Sequence, residues 1–147
     1  MKSKELVSRT LEKWKFPIVE ETDHSITFRY QMNYVSVGSL MDEMTSMAVN
    51  MRGLFNVENE EEWRYVMKTC NELNFQLMMV KLFVDTDDEL VIGAEFFYKT
   101  EEDVEYLLNM ALQSIMTAKK KFIQHYKAIV EEDKLLQELD ESLNEQD

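Results

Sequence analysis

The sequence has few of the residues that mark cross-linked or membrane-inserted proteins. Its single cysteine, Cys70, allows no internal disulfide, which fits a reducing compartment. No apolar stretch approaches the roughly 20 residues that a membrane-spanning helix needs. The N-terminal segment, residues 1–14, also lacks the apolar region of a signal peptide. We therefore expect a cytoplasmic protein that does not insert into membranes.

Proline and glycine are also scarce, with one and three residues respectively. No Gly/Ser linker, low-complexity block or repeat divides the 147 residues, a length typical of one domain. The 45% hydrophobic content is too high for a disordered chain. We expect a single α+β domain over residues 1–130 and an acidic C-terminal tail over residues 131–147, partly helical or disordered.

Basic residues are too few to balance the acidic ones, and the formal net charge is −13. The tail holds eight acids against the one base Lys134 and contributes −7 of that charge. Nucleic acid and anionic membranes would repel such a chain within a Debye length of about 10 Å. We expect a protein partner and no binding to nucleic acid or membranes.

Catalytic and metal-binding constellations are missing from the sequence. The two histidines, His24 and His125, lie far apart in the chain and have no local partners. The acidic run at residues 85–89 lacks the glycine and the terminal glutamate of an EF-hand loop, so a solvated hairpin turn explains it better than a cation site. Phosphate-loop, zinc-protease and nucleophile-elbow motifs are absent. We predict no catalytic, cofactor-binding or metal-binding residues and a protein that is not an enzyme.

Hydrophobic periodicity predicts one helix and three short strands in the first third of the chain. Apolar residues at three- to four-residue spacing indicate an amphipathic helix over residues 3–14. Pro17 ends it and permits an edge strand at residues 18–21, because proline can begin a strand but cannot join its ladder. Alternating residues predict strands at 26–30 and 34–37, which form a hairpin.

The segment from Leu40 to Phe55 fits two patterns. Leu40, Met44, Met47, Met51 and Leu54 suit a helix, whereas Met47, Val49, Met51 and residues 53–55 suit an alternating strand. We favour a strand over residues 43–54, because Gly53 and the β-tolerant stretches around Thr45 and Val49 weaken the helical pattern.

Two capped helices and a long hairpin account for the second half. Asn59 with Glu62 predicts an N-cap and capping box. The stripe of the helix that follows consists of Trp63, Val66, Met67, Cys70 and Leu73. Strands at 75–84 and 89–98 flank a polar turn, and Thr100 with Asp103 caps a last helix that reaches at least Tyr126.

This order of helix, strands, helix, long hairpin and helix resembles the type III secretion chaperone-like fold, and its details resemble the YbjN family within it. The matching features are the helix end Asn71-Glu72-Leu73-Asn74, the hairpin 75–98, and Ala118 and Phe122 in the last helix. The chain departs from the family in its acidic extension and at the hairpin turn, where a glycine is common and Asp87-Asp88-Glu89 is found.

The resemblance implies an α+β domain with an antiparallel β-sheet packed against helices, often paired as a homodimer, in a bacterial protein. It implies no enzymatic activity. Members of this fold with a defined role are small acidic chaperones that hold an unfolded segment of a partner, and YbjN-like members are described as candidate sensory or stress regulators. Fold alone does not determine function.

The eleven methionines fit the filling of an irregular core better than an adaptable binding face, whereas strands with two apolar faces suggest association with another polypeptide. We therefore expect a non-enzymatic, chaperone-like adaptor or regulator that forms a homodimer and binds a protein partner. The candidate partner contacts are Met47, Val49, Met51, Phe83, Phe96 and Tyr98. The alternative is a small-molecule sensor with an apolar pocket between sheet and helices. The leucines of the acidic tail further suggest a removable cover over an apolar surface.

Overall fold

The computed structural model describes residues 3–40 and 45–145. Within these residues the chain forms three helices and one six-stranded antiparallel sheet. In chain order, the elements are α1 (Ser3–Lys13), β1 (Ile18–Glu21), β2 (Ile26–Tyr30), β3 (Asn33–Gly38), β4 (Ser46–Arg52), α2 (Glu60–Gln76), β5 (Val80–Val84), β6 (Leu90–Phe97) and α3 (Glu101–Glu145). The predicted α+β class and the predicted order of elements are confirmed.

The strands lie in the order β1-β2-β3-β4-β6-β5. The first four form a meander, and the β5–β6 hairpin then joins it with its second strand against β4. β6 therefore lies between β4 and β5, and both of its edges are paired. One row of the register runs from Val37 through Val49 and Ala94 to Val80.

Residues 46–52 of the ambiguous segment form a strand, as favoured from the sequence. In β4 the side chains of Met47, Val49 and Met51 are buried, and the residues between them are half-buried. This alternation is the period of a strand with one face on the core. The proposed start of the strand at Glu43 and Met44 lies outside the described residues.

All three helices pack against the sheet or against each other, and one apolar core lies between them. The central helix of this layer is α3, whose buried side chains recur every seven residues at Leu108, Ile115, Phe122 and Ile129. Such a repeat keeps one stripe of a helix against a constant neighbour. Within the described residues, no helix is both long and apolar enough to cross a membrane.

The start of α2 is capped as predicted, with one difference. The Asn59 side chain accepts a hydrogen bond of 2.9 Å from the Glu62 N–H. The Glu62 carboxylate accepts its bond of 2.8 Å from the Glu58 N–H and not from that of Asn59. The reciprocal bond of the capping box is thus shifted by one residue.

The prediction of the buried stripe of α2 is wrong at two of its five positions. Val66, Cys70 and Leu73 are buried as expected, but Trp63 and Met67 are exposed. Tyr65 and Thr69 are buried instead. The reason is that α2 contacts both α3 and β5, so its buried face is rotated away from the stripe that hydrophobicity alone selects.

The free edge of β5 is capped by a side chain of α2. The Asn74 Oδ1 accepts a hydrogen bond of 2.8 Å from the Leu82 N–H, and its Nδ2 donates one of 2.9 Å to the Leu82 carbonyl. The amide group of Asn74 therefore replaces a neighbouring strand at the position where the backbone groups of Leu82 point away from β6. Unpaired edge groups are the usual template for unwanted strand pairing.

The last helix extends further than its buried part. It continues unbroken past Ile129, its last buried residue, to Glu145. The four leucines of this extension, Leu135, Leu136, Leu139 and Leu143, are exposed. They lie on a continuing helix and not on the sheet, where the hypothesis of a removable cover would place them. The division of the chain at residue 130 stays a prediction.

Candidate protein-binding surface

The sheet has a second face, which we call the outer face. The buried alternate side chains of the strands point toward the helices, so the other alternate positions form the outer face. These positions include Thr27, Arg29, Tyr34, Ser36, Ala48, Asn50, Arg52, Lys81, Phe83, Val91, Gly93, Glu95 and Phe97. Most of them are exposed or half-buried.

The centre of the outer face is built from small and polar side chains. Ser36, Asn50, Gly93 and Lys81 are register partners in one row across four strands. A Cβ atom at Gly93 would lie 2.3 Å from the Asn50 Oδ1, so any other residue at this position would force the Asn50 side chain to move. The Asn50 side chain thus lies across the glycine, and the middle of the face stays low and flat.

Aromatic rings and cations surround this flat centre. Tyr34, Phe83 and Phe97 are 54%, 36% and 81% exposed. The Arg29 guanidinium lies 5.8 Å from the centroid of the Tyr34 ring, and the Lys81 ammonium lies 5.6 Å from that of Phe83. Cations at this distance are attracted to the ring face. The outer face therefore offers apolar rings whose orientation is supported by neighbouring charges.

The acidic turn between β5 and β6 is held by hydrogen bonds within the protein. Asp85 Oδ1 accepts bonds from the N–H groups of Asp87, at 2.9 Å, and Glu89, at 3.0 Å, and its other oxygen contacts Arg52. The Glu89 bond is the main cause that lowers the pKa of Asp85. Asp88 has a φ of 59°, a left-handed conformation that aspartate tolerates in place of glycine.

These contacts indicate that the acidic residues of the 85–89 run stabilise the hairpin turn. Asp85 forms an Asx turn, and the Glu89 carboxylate accepts a bond of 2.6 Å from the Gly53 N–H. Within residues 3–40 and 45–145, no group of three or more His, Cys, Asp or Glu side chains is arranged to hold a metal ion. The carboxylates of the turn support β5, β6 and the end of β4.

The six candidate contacts from the sequence lie in three different environments. Met47, Val49, Met51 and Phe96 are buried on the helix side of the sheet. Phe83 lies on the outer face, and Tyr98 is half-buried with its hydroxyl hydrogen-bonded to Ser3. A partner could reach the four buried side chains only if the helices moved off the sheet. Partner contact at the six positions stays a prediction.

The exposed residues Arg29, Tyr34 and Phe97 were not among the predicted contacts. Each alternates with buried neighbours: Tyr34 precedes Val35, and Phe97 follows Phe96. The same alternation that located the strands therefore contained a signal for them. The alternation does not show which face of a strand the helices cover, because two apolar faces have the same pattern in the sequence.

Other groups in the described residues provide little support for chemistry or for a small-molecule pocket. Burial raises the pKa of the Cys70 thiol to about 11, so the reactive thiolate is disfavoured. Two clefts of 450 and 300 Å³ adjoin α1 and α3 and share Trp14 and Asn109. Glu102 and Glu105 line the larger cleft. The smaller cleft has an apolar lining of Trp14, Phe16, Tyr30 and Leu112 but is open to solvent, so neither is the enclosed apolar pocket that the sensor alternative requires.

Comparisons with known proteins identify the fold. No family model matches the sequence, and no curated protein matches it. The solved structure of YbjN from E. coli, a candidate transcription regulator, has a TM-score of 0.63 and 13% sequence identity, and the match covers 82% of this chain and 91% of that one.

Two complexes show the same similarity. The ExsC-ExsE complex gives a TM-score of 0.53 at 12% identity, covering 79% of this chain and 90% of the other. The Yersinia pestis type III secretion chaperone SycH, solved with a fragment of YscM2, gives 0.52 at 12% identity, with 80% and 97% covered. Identities this low establish shared architecture only. The chain has the fold of YbjN and of the type III secretion chaperones.

Proposed function

We propose that this protein is a non-enzymatic, chaperone-like adaptor of the bacterial cytoplasm that binds a segment of another polypeptide. The observation that carries the proposal is the outer face, with its flat polar centre and its exposed rings of Tyr34, Phe83 and Phe97. Similar chains have been solved in complex with protein partners, namely SycH with a fragment of YscM2 and ExsC with ExsE. That similarity supports the proposal by analogy.

The geometry of the outer face favours a polypeptide segment over a compact ligand. Exposed aromatic residues are the usual anchors of protein interfaces, since each buries a large area and loses little side-chain entropy. The row through Ser36, Asn50 and Gly93 leaves room for a partner's main chain to lie close to the sheet. Arg29 stands beside the Tyr34 ring and favours acidic residues in the partner, whereas the Lys81 ammonium is already paired with Glu95 at 2.7 Å.

We further propose that the protein is a homodimer. Support comes from α2, where Trp63 and Met67 are exposed one turn apart and Phe75 is exposed two turns further along the helix. Exposed large apolar residues on one helix are a feature of protein interfaces. Sedimentation velocity at micromolar concentration would refute the dimer if it gave only the 17.5 kDa mass of one chain.

A displayed library of random twelve-residue peptides provides a test in which the natural partner need not be identified. We expect selection on the wild-type protein to enrich peptides that combine apolar and acidic residues. Replacement of an outer-face ring, as Tyr34→Glu or Phe97→Glu, should weaken their binding at least tenfold. About 1.4 kcal/mol is enough for a tenfold change, less than a buried aromatic anchor contributes.

The matched control is Ile123→Glu, which places the same charge at an exposed apolar position of α3. This variant should bind the selected peptides as the wild type does. Thermal unfolding of all three variants would verify that they remain folded. The proposal is refuted if no peptide is enriched, or if the Ile123 variant loses binding as much as the outer-face variants do.

A further inference from the structure

The buried stripe of α3 continues beyond the core. Leu108, Ile115, Phe122 and Ile129 are buried at seven-residue spacing. The next two positions of the same repeat are Leu136 and Leu143, which are 56% and 62% exposed. Leu139 lies between them, three residues after the first and four before the second, as a second seam position would. The apolar stripe that is buried in the core along residues 108–129 is therefore exposed to solvent along residues 136–143.

The extension continues a helix that is held to the body of the protein. The Tyr65 hydroxyl of α2 contacts Asp133 and donates toward Glu61 at 2.8 Å, so it joins the two helices where the extension begins. These two carboxylates raise the pKa of Tyr65, and the hydroxyl stays protonated as a donor. Residues 131–145 then present about 22 Å of helix at 1.5 Å per residue.

The charges around this leucine stripe are almost all negative. Residues 131–145 contain seven acids and the one base Lys134. The first turn of α2 adds Glu60, Glu61 and Glu62 at the same end of the molecule, since Tyr65 lies only one turn further along that helix. At the ionic strength of a cell, the Debye length of about 8 Å is similar to the spacing of two packed helices. Charges of a docked helix would therefore interact with these acids.

The negative charge beside the leucines determines which kind of molecule could cover the stripe. A second copy of the same extension would bring seven more acids against the first seven, and like charges that flank a helical seam are destabilising. An anionic lipid surface is disfavoured for the same reason. A helix with leucine-like residues on one side and lysine or arginine beside them would cover the stripe and neutralise its flanks.

We propose that residues 131–145 form a docking helix for a basic amphipathic helix of a protein partner. This site is separate from the outer face of the sheet, so either site can exist without the other. The partner helix pairs with Leu136, Leu139 and Leu143 and places its cations against the acids on both sides. The seam is about two heptads long, so the interaction is weak and depends on salt concentration.

The probe for the experiment is a synthetic 21-residue helical peptide with leucine at the seam positions and lysine on both flanks. Two matched peptides keep one feature each: one has serine in place of leucine, and the other has glutamate in place of lysine. Binding to the full chain is measured by fluorescence anisotropy at 0.15 M and 0.5 M salt. We expect only the lysine–leucine peptide to bind, with an affinity at least tenfold lower at the higher salt concentration.

The protein variant Leu136→Ser/Leu143→Ser should reduce that affinity at least tenfold. Its control, Gln137→Ser/Asn144→Ser, changes the two neighbouring exposed positions and should leave the affinity unchanged. The outer-face variant Phe97→Glu should also bind the peptide normally, which separates this proposal from the proposed function. Circular dichroism verifies that the helix is retained in each variant.

Three results would overturn the proposal. The first is no binding of the lysine–leucine peptide, and the second is equal binding of the serine or glutamate peptide. The third is self-association of the wild type that disappears in Leu136→Ser/Leu143→Ser, since this would assign the stripe to a second copy of the chain.

Discussion

Removal of the Asn74 side chain should show how much its cap on the edge of β5 contributes to the free energy of unfolding. In Asn74→Ala, the Leu82 N–H and carbonyl lose both hydrogen bonds that the structure shows, at 2.8 and 2.9 Å. A typical hydrogen bond contributes about 0.5–1.5 kcal/mol to stability, so the loss amounts to about 1–3 kcal/mol. We place the result in the lower half of this range, because Asn74 is exposed and water can reach the edge.

The alanine itself has an opposite effect that must be subtracted. Alanine is a better helix former than asparagine by several tenths of a kcal/mol. The control is therefore Asn71→Ala, an exposed asparagine one turn earlier in α2 that gains the same helix propensity. The difference between the two variants isolates the edge cap.

Urea unfolding followed by circular dichroism is the assay. We expect the free energy of unfolding of Asn74→Ala to be at least 1 kcal/mol lower than that of Asn71→Ala, with the same dependence on urea concentration. The freed edge should also increase association at high protein concentration, as seen by light scattering. A difference below about 0.5 kcal/mol would show that Asn74 does not cap the sheet edge.

Two further predictions concern the glycine of the outer face and the buried thiol. Gly93→Ala should destabilise the protein by about 1 kcal/mol more when Asn50 is present than in the Asn50→Ala background, since the new Cβ meets the Asn50 Oδ1. Thermal unfolding of the four proteins in this double-mutant cycle measures the coupling free energy between the two positions. Additive effects of the two substitutions would contradict the prediction. Cys70 should react with an aromatic disulfide at pH 8 far more slowly in the native protein than in urea, because burial keeps it protonated. Its pKa rises from 9.0 to about 11 on folding, so its stabilising contribution is complete below pH 9 and is lost as the pH rises toward 11. A native reaction rate equal to that of the unfolded chain would refute the burial of Cys70.

Local patterns in the sequence were sufficient for most of the elements. The strands were predicted from two-residue alternation, and the start of α2 from Asn59, because both signals depend on neighbours within a few residues. The β4 segment was harder, since methionines at spacings of three and four also fit a helix. Its β-tolerant residues favoured the strand, and the structure agrees.

The binding surface could be predicted only in part. Phe83 was correctly expected on a strand and lies on the outer face, whereas Met47, Val49, Met51 and Phe96 lie on the face that the helices cover. The pattern of a strand with two apolar faces does not say which face becomes core. That choice depends on where helices from distant parts of the chain pack.

The sequence by itself thus determined the α+β class, the order of the elements, the acidic surface and the leucine repeat that ends at Leu143. Tertiary structure alone decided that β6 lies between β4 and β5 and that Asn74 caps the edge of the sheet. It also turned α2 so that Tyr65 is buried and Trp63 is exposed. The physical reason is the sequence separation of the interactions involved. Helix and strand periodicity depends on residues a few positions apart, whereas the identity of a buried face depends on contacts between segments far apart in the chain.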